Sequence, residues 1–238
     1  KVVIVPSVAT ETPTSTVKQN AESFIVLSVG RFNYLKGFDL TIRAFASYYH
    51  SLKNRVHKNA QLLLVGSGEE KSRLTQLAID LKINHKIKWI EWVDRSEMKQ
   101  LYLEANAFLF PSHEGAGMVI PEAMSYGLPV ITLNNFGPGE LAGTAGLKVD
   151  ATDYSTTVSL LAEKLKSISE DKGAFQAVSD ASKKHFKRNF TWEIKGTQIK
   201  TAYKKVQKSV AIFHPSSELY GADRILVNAI NAFPIETQ

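Results

Sequence analysis

Between Ala107 and Leu133 the chain passes from one apolar run to another through a Gly-bearing loop and a short helical stretch. Ala107–Phe110 and Val130–Leu133 read as buried strands. Runs this short and this apolar suit strands covered on both faces, which is the condition of a parallel sheet. Parallel neighbours need a crossover, and residues 111–127 supply one. Gly127, Leu128 and Pro129 then stop the helix and lead into the second strand. This unit limits the fold more than any other feature, because it admits few architectures besides a layered α/β sheet.

The same alternation runs along the chain. Residues 2–5 read as a strand, and residues 6–21, rich in Thr, Ser and Pro, as a loop. Residues 24–29 form the next apolar run and enter a loop from Gly30 to Gly37. Residues 38–49 have helical spacing through Leu40, Ile42, Ala44, Phe45 and Tyr48. Gln61–Val65 is a strand ending at Gly66, Ser67 and Gly68, and residues 69–81 are a helix with Leu74, Leu77, Ala78 and Leu81 on one stripe. Residues 87–89 are a short strand whose turn leads to Trp92 and Val93, with Asp94 or Ser96 placed to cap a helix through Leu101 and Ala105. Beyond Leu133, residues 137–139 read as a turn, Leu147–Val149 as a strand, and residues 156–169, 173–189 and 194–208 as helices, with a loop over 190–193. A further strand at 210–213, a loop at 214–221 and a helix at 222–233 close the chain. The expected fold class is α/β, a Rossmann-like doubly wound parallel sheet over residues 1–208, with 209–238 opening a second unit. Such sheets bind ligands at the carboxyl ends of their strands, and each Gly-bearing loop here follows a strand.

With 238 residues, 44% of them hydrophobic, the chain can build one sizeable core. It has no apolar run long enough to span a bilayer and no signal-peptide pattern. It begins abruptly inside a strand, which suggests a fragment. The absence of cysteine excludes disulfides and thiolate metal sites and fits a reducing compartment. The net charge is +6, and residues 160–208 carry twelve Lys or Arg against five Asp or Glu. A solvated helix surface accounts for that more simply than an anionic partner, although peripheral contact with a membrane inner face is compatible with it. No arrangement of aromatic and basic residues resembles a nucleic-acid module, so no nucleic-acid partner is expected.

Arg31 and Lys36 share one short loop flanked by Gly30 and Gly37, as a diphosphate site requires. Gly66 and Gly68 match only the start of a dinucleotide fingerprint, since Lys71 stands at its third glycine, so an NAD site is not expected. A tight turn explains that pair equally well. His113 and Glu114 would begin a zinc motif, but Gly117 stands at its second histidine. No Asp-x-Asp occurs either, so neither a metal nor a cofactor is expected. Glu114 on the loop and Glu122 on the helix can each accept from vicinal hydroxyls, one from a transferred sugar and one from a ribose. For Glu122 the simpler alternative is a carboxylate favoured by the helix N-terminus. These residues together read as a cradle for a nucleoside-diphosphate sugar.

The chain resembles the C-terminal, donor-binding domain of GT-B-fold retaining glycosyltransferases, family four, over about residues 3–205. The resemblance rests on Val29-Gly30-Arg31 with Lys36-Gly37, Val65-Gly66-Ser67-Gly68, Pro111-Ser112, Glu114 and Glu122 with seven residues between them, the run from Glu122 to Val130, and Thr191-Trp192-Glu193. It implies that Gly30, Arg31, Lys36 and Gly66 border the diphosphate, that Glu114 contacts the donor sugar, and that the backbone of Ala116, Gly117, Met118 and Val119 faces sugar and phosphates. It also implies Glu122 on the ribose and the turn from Glu91 to Val93 on the base, with Arg31, Lys36 and Glu114 as the catalytic set. Departures from the family pattern fall at Glu91, Ala116 and Asn106. The implied function is transfer of a sugar to a glycan or lipid-linked acceptor in the cytoplasm, as in polysaccharide biosynthesis, with an N-terminal GT-B domain supplying the acceptor side. A non-catalytic nucleotide-sugar-binding module and a nucleotide-sugar epimerase are the alternatives. Residues 212–224 resemble the opening of a second such transferase, the alternative being an added βα unit of the same domain.

Overall fold

The computed structural model describes residues 9–17, 23–52, 59–114 and 117–205. The expected strand at 2–5, the unit at 209–238 and Ala116 lie outside the described residues. Six strands form one sheet: β1 (Ile25–Val29), β2 (Gln61–Val65), β3 (Ile87–Ile90), β4 (Ala107–Phe110), β5 (Val130–Leu133) and β6 (Leu147–Val149). Their order is β3-β2-β1-β4-β5-β6, and every pairing is parallel. Among the described residues eight α-helices accompany them: α1 (Phe38–Ser51), α2 (Lys71–Asp80), α3 (Arg95–Glu104), α4 (Val119–Ser125), α5 (Pro138–Ala142), α6 (Tyr154–Glu170), α7 (Lys172–Asn189) and α8 (Trp192–Lys205).

Side chains alternate across a strand, so each strand feeds two cores. Val26, Leu62, Leu64, Leu109 and Ile131 pack with α1 and α6 on one face of the sheet. Leu27, Leu63, Phe108, Phe110 and Val130 pack with α3, α4 and α7 on the other. Most strand residues are apolar because helices cover both faces; Ser28 and Thr132 are buried exceptions, and Gln61, Lys88 and Lys148 stand at less covered positions. Each fully buried Phe or Leu contributes about 1.5–3 kcal/mol through this burial.

Two elements differ from expectation. Residues 137–139 are the start of a helix rather than an isolated turn: Gly137 is the N-cap of α5 and Pro138 its first residue, a position where a missing N–H costs nothing. Helix α8 begins at Trp192, inside the expected loop. Asn106, a departure from the family pattern, braces two strands. Its Oδ1 accepts from Ile25 N at 2.8 Å, while its own N–H donates to Ile25 O at 2.7 Å. This contact lies at the amino ends of β1 and β4, away from the loops after them.

The sheet reverses its winding between β1 and β4. The carboxyl edge at such a reversal is where sheets of this kind take ligands.

Candidate active site

The loop after β1 closes with a 3-10 turn, Tyr34–Lys36, and Gly37 in the left-handed region at φ 64°. A Cβ on Gly37 would stand 2.2 Å from Pro111 O, so only glycine lets this loop touch the one after β4. Ser112 Oγ (3.1 Å) and His113 N (2.8 Å) both donate to Leu35 O. Asn135 Nδ2 donates to Ser112 O at 2.8 Å, which ties in the loop after β5. His113 thus takes part through its backbone.

This lacing brings Lys36 and Glu114 together, and Lys36 Nζ forms an ion pair with Glu114 Oε2. The ammonium also stands 5.4 Å from the centre of the Phe110 ring. Glu114 Oε1 is buried and has no hydrogen-bond partner among the described residues. A buried carboxylate oxygen without a donor is costly, and a hydroxyl arriving there would satisfy it.

Gly66 is placed by packing. Its φ is 141°, and a Cβ there would lie 1.9 Å from Gly30 O. Phe32 N donates to Ser67 O at 2.8 Å, so the Gly66–Gly68 turn supports the β1 loop from beneath. Close backbone packing fits the tight-turn reading of these glycines, and Gly66 also lines the cavity.

A cavity of about 580 Å³ opens along this edge, lined among others by Gly30, Arg31, Gly66, Trp92, Val93 and Glu122. Arg31 is exposed and makes no ion pair among the described residues. The turn carrying Trp92 and Val93 is held by the start of α3, where Asp94 rather than Ser96 is the cap. Asp94 Oδ1 accepts from Ser96 N (2.7 Å) and Glu97 N (2.8 Å), and the Glu97 carboxylate accepts from Asp94 N at 3.0 Å. The Glu97 amide bond, ahead of those from Ser96, holds the Asp94 carboxyl below its ordinary range.

Glu122 lies in the first turn of α4. Tyr102 O–H donates to its Oε2 at 3.0 Å. Burial raises the Glu122 carboxyl above its ordinary range, and the Tyr102 bond and the Arg95 charge pull the other way. Burial, then the neighbouring Glu122 charge, raises the Tyr102 hydroxyl well above its usual value. Gly117 is buried against Ile120 and Phe110, and Met118 and Val119 begin α4 half-buried. The second cavity, of about 510 Å³, adjoins the first across Arg95, Met98 and Glu122. Among the described residues no three His, Asp or Glu side chains gather as a metal site.

Gly30, Arg31, Gly66, Val93 and Glu122 therefore meet in one cavity, with the Lys36–Glu114 pair one loop away. Sequence reasoning missed Tyr102, Met98 and Arg95. Met98, Leu101 and Tyr102 fall at helical spacing on α3, which marked a buried face but not a partner for Glu122.

A Rossmann-like sheet of this order forms half of the GT-B fold of glycosyltransferases. The pneumococcal O-GlcNAc transferase solved with UDP and GlcNAc superposes with a TM-score of 0.71 at 19% identity, over 87% of this chain and 40% of that one. The model of the glycosyl transferases group 1 family matches residues 13–189, and the chain belongs to that family. The glycogen synthase of Mycobacterium tuberculosis is 28% identical over 181 residues, 75% of this chain and 42% of the relative. The O-antigen chain mannosyltransferase B of Escherichia coli is 32% identical over 165 residues, 68% of this chain and 42% of the relative. The chain thus spans less than half the length of these relatives.

Proposed function

We propose that this chain is the C-terminal-type, donor-binding half of a retaining glycosyltransferase that moves a sugar from a nucleoside diphosphate to a glycan or lipid-linked acceptor. The observation that carries this reading is the cavity at the reversal point of the sheet, where Arg31, the Val93 turn and Glu122 converge beside Lys36 and Glu114. Arg31 and Lys36 take the diphosphate by charge. Glu122, oriented by Tyr102, accepts from the ribose hydroxyls. The unpartnered Oε1 of Glu114 accepts from a hydroxyl of the donor sugar. The backbone from Gly117 to Val119 borders sugar and phosphates.

When the bond between the anomeric carbon and the phosphate oxygen breaks, the electron pair stays on the diphosphate. Arg31 and Lys36 stabilise that charge without a metal, an electrostatic contribution of about 2.7–4 kcal/mol per well-placed donor. Neither glutamate is assigned as an acid or base. The acceptor hydroxyl comes from a second domain facing this edge, and the names of the two curated relatives favour a glycan as its carrier. The exposed Lys184, Lys187 and Arg188 on α7 are available to an anionic surface such as the inner face of a membrane.

In the enzyme assembled with its acceptor domain, Glu114→Ala lowers transfer about a hundredfold or more while the unfolding temperature stays near that of the unmodified protein. Unchanged turnover in that variant would remove Glu114 from the site. Residues 1–238 alone bind nucleoside diphosphate without transferring sugar, and product formed by them in a radiolabel assay would overturn the assignment of the acceptor side elsewhere.

A further inference from the structure

We infer that the base read in this cavity is guanine, through Trp92 stacking on its face and Glu91 accepting from its edge. This rests on the nucleotide-sugar reading above and names the base that reading leaves open. Trp92 is 78% exposed, and its ring touches no other aromatic ring or cation among the described residues. Its backbone is not free to wander, because β3 ends just before it and the capping box of α3 begins just after it. An indole held at the mouth of a cavity gives a flat apolar surface for a nucleobase, and a purine covers more of it than a pyrimidine does.

Glu91 stands beside it, exposed, and lines the same cavity. Among the described residues no cation pairs with it. Lys71, whose ammonium sits over the Trp89 ring at 3.7 Å, feels the Glu91 charge but closes no ion pair with it. Both Glu91 oxygens therefore remain acceptors. Guanine presents two parallel donors, the ring N1–H and the exocyclic amine, which match a carboxylate fork with charge assistance. Adenine and cytosine each place a ring-nitrogen lone pair where the carboxylate wants a donor. Uracil offers one N–H between two carbonyl oxygens, both repelled by the carboxylate. Guanine alone of the four satisfies both oxygens.

The experiment is calorimetric titration of the protein, Glu91→Gln and Trp92→Ala with GDP, UDP, ADP and CDP, with thermal unfolding confirming that each variant is folded. GDP binds the unmodified protein about tenfold more tightly than UDP or more, the scale of one charge-assisted hydrogen bond. Glu91→Gln removes that advantage by weakening GDP, while UDP, relieved of the carboxylate's repulsion, binds no more weakly than before, and Trp92→Ala weakens GDP more than UDP. UDP, ADP or CDP binding as tightly as GDP overturns the inference and leaves the nucleotide site standing, and so does a GDP preference that survives Glu91→Gln. Failure of all four nucleotides to bind overturns the site reading and the base assignment together.

Discussion

At Glu122 two demands meet in one side chain. It stays half-buried beside Tyr102, and burial disfavours the charge that the proposed ribose acceptor needs. The consequence is a defined pH dependence. At low pH the folded and unfolded chains both carry the proton. As pH rises, the unfolded chain releases it first because the folded carboxyl is raised, so stability falls through the folded carboxyl's titration. Glu122→Gln keeps an acceptor for Tyr102 and removes this slope. Melting temperatures followed between about pH 4 and pH 8 will show a flatter profile for the variant, with no loss at neutral pH and weaker nucleotide binding. Gly66 is a second residue whose identity is imposed by contact. With a Cβ 1.9 Å from Gly30 O and φ at 141°, Gly66→Ala must displace the β1 loop. The expected cost is about 1–3 kcal/mol in urea denaturation, with diphosphate binding lost alongside.

The elements themselves were largely legible. β2, β4, β5 and β6 fall on the residues the sequence marks, because mostly apolar runs are punctuated by Gly66, Pro111, Pro129 and Gly146 at their ends. The capping box of α3 was half visible: the sequence left Asp94 and Ser96 equal, and only backbone geometry chose Asp94. The helix over residues 138–142 was hidden because Gly137, Pro138 and Gly139 also spell a turn, and its burial against β5 and β6 decides the matter. Asn106 belongs at this scale, since it joins β1 to β4 where the winding reverses. Asn106→Ala removes a fully buried side chain and leaves the half-buried Ile25 amide without its side-chain acceptor. It is expected to cost about 1–3 kcal/mol in equilibrium unfolding, and faster amide exchange at Ile25 would locate the damage.

For the whole molecule, one edge collects the chemistry and the remainder supports it. The net charge of +6 favours approach of an anionic donor. Nucleoside diphosphate should therefore bind more tightly at low ionic strength, with affinity falling as salt screens Arg31 and Lys36. At a hundred times its dissociation constant it should stabilise the fold by about 2.7 kcal/mol. Thermal unfolding at two salt concentrations measures both effects, and a shift independent of salt would contradict the role given to the two cations. The sequence by itself determined that this chain makes a parallel sheet with Gly-bearing loops at its carboxyl edge, because strand and turn signals are local and survive without knowledge of neighbours. Only the tertiary structure decided the strand order, the pairing of Lys36 with Glu114 across 78 residues, and Tyr102 as the partner of Glu122. Those depend on which loops the sheet brings into contact, and contact between distant segments leaves no periodic trace in either one.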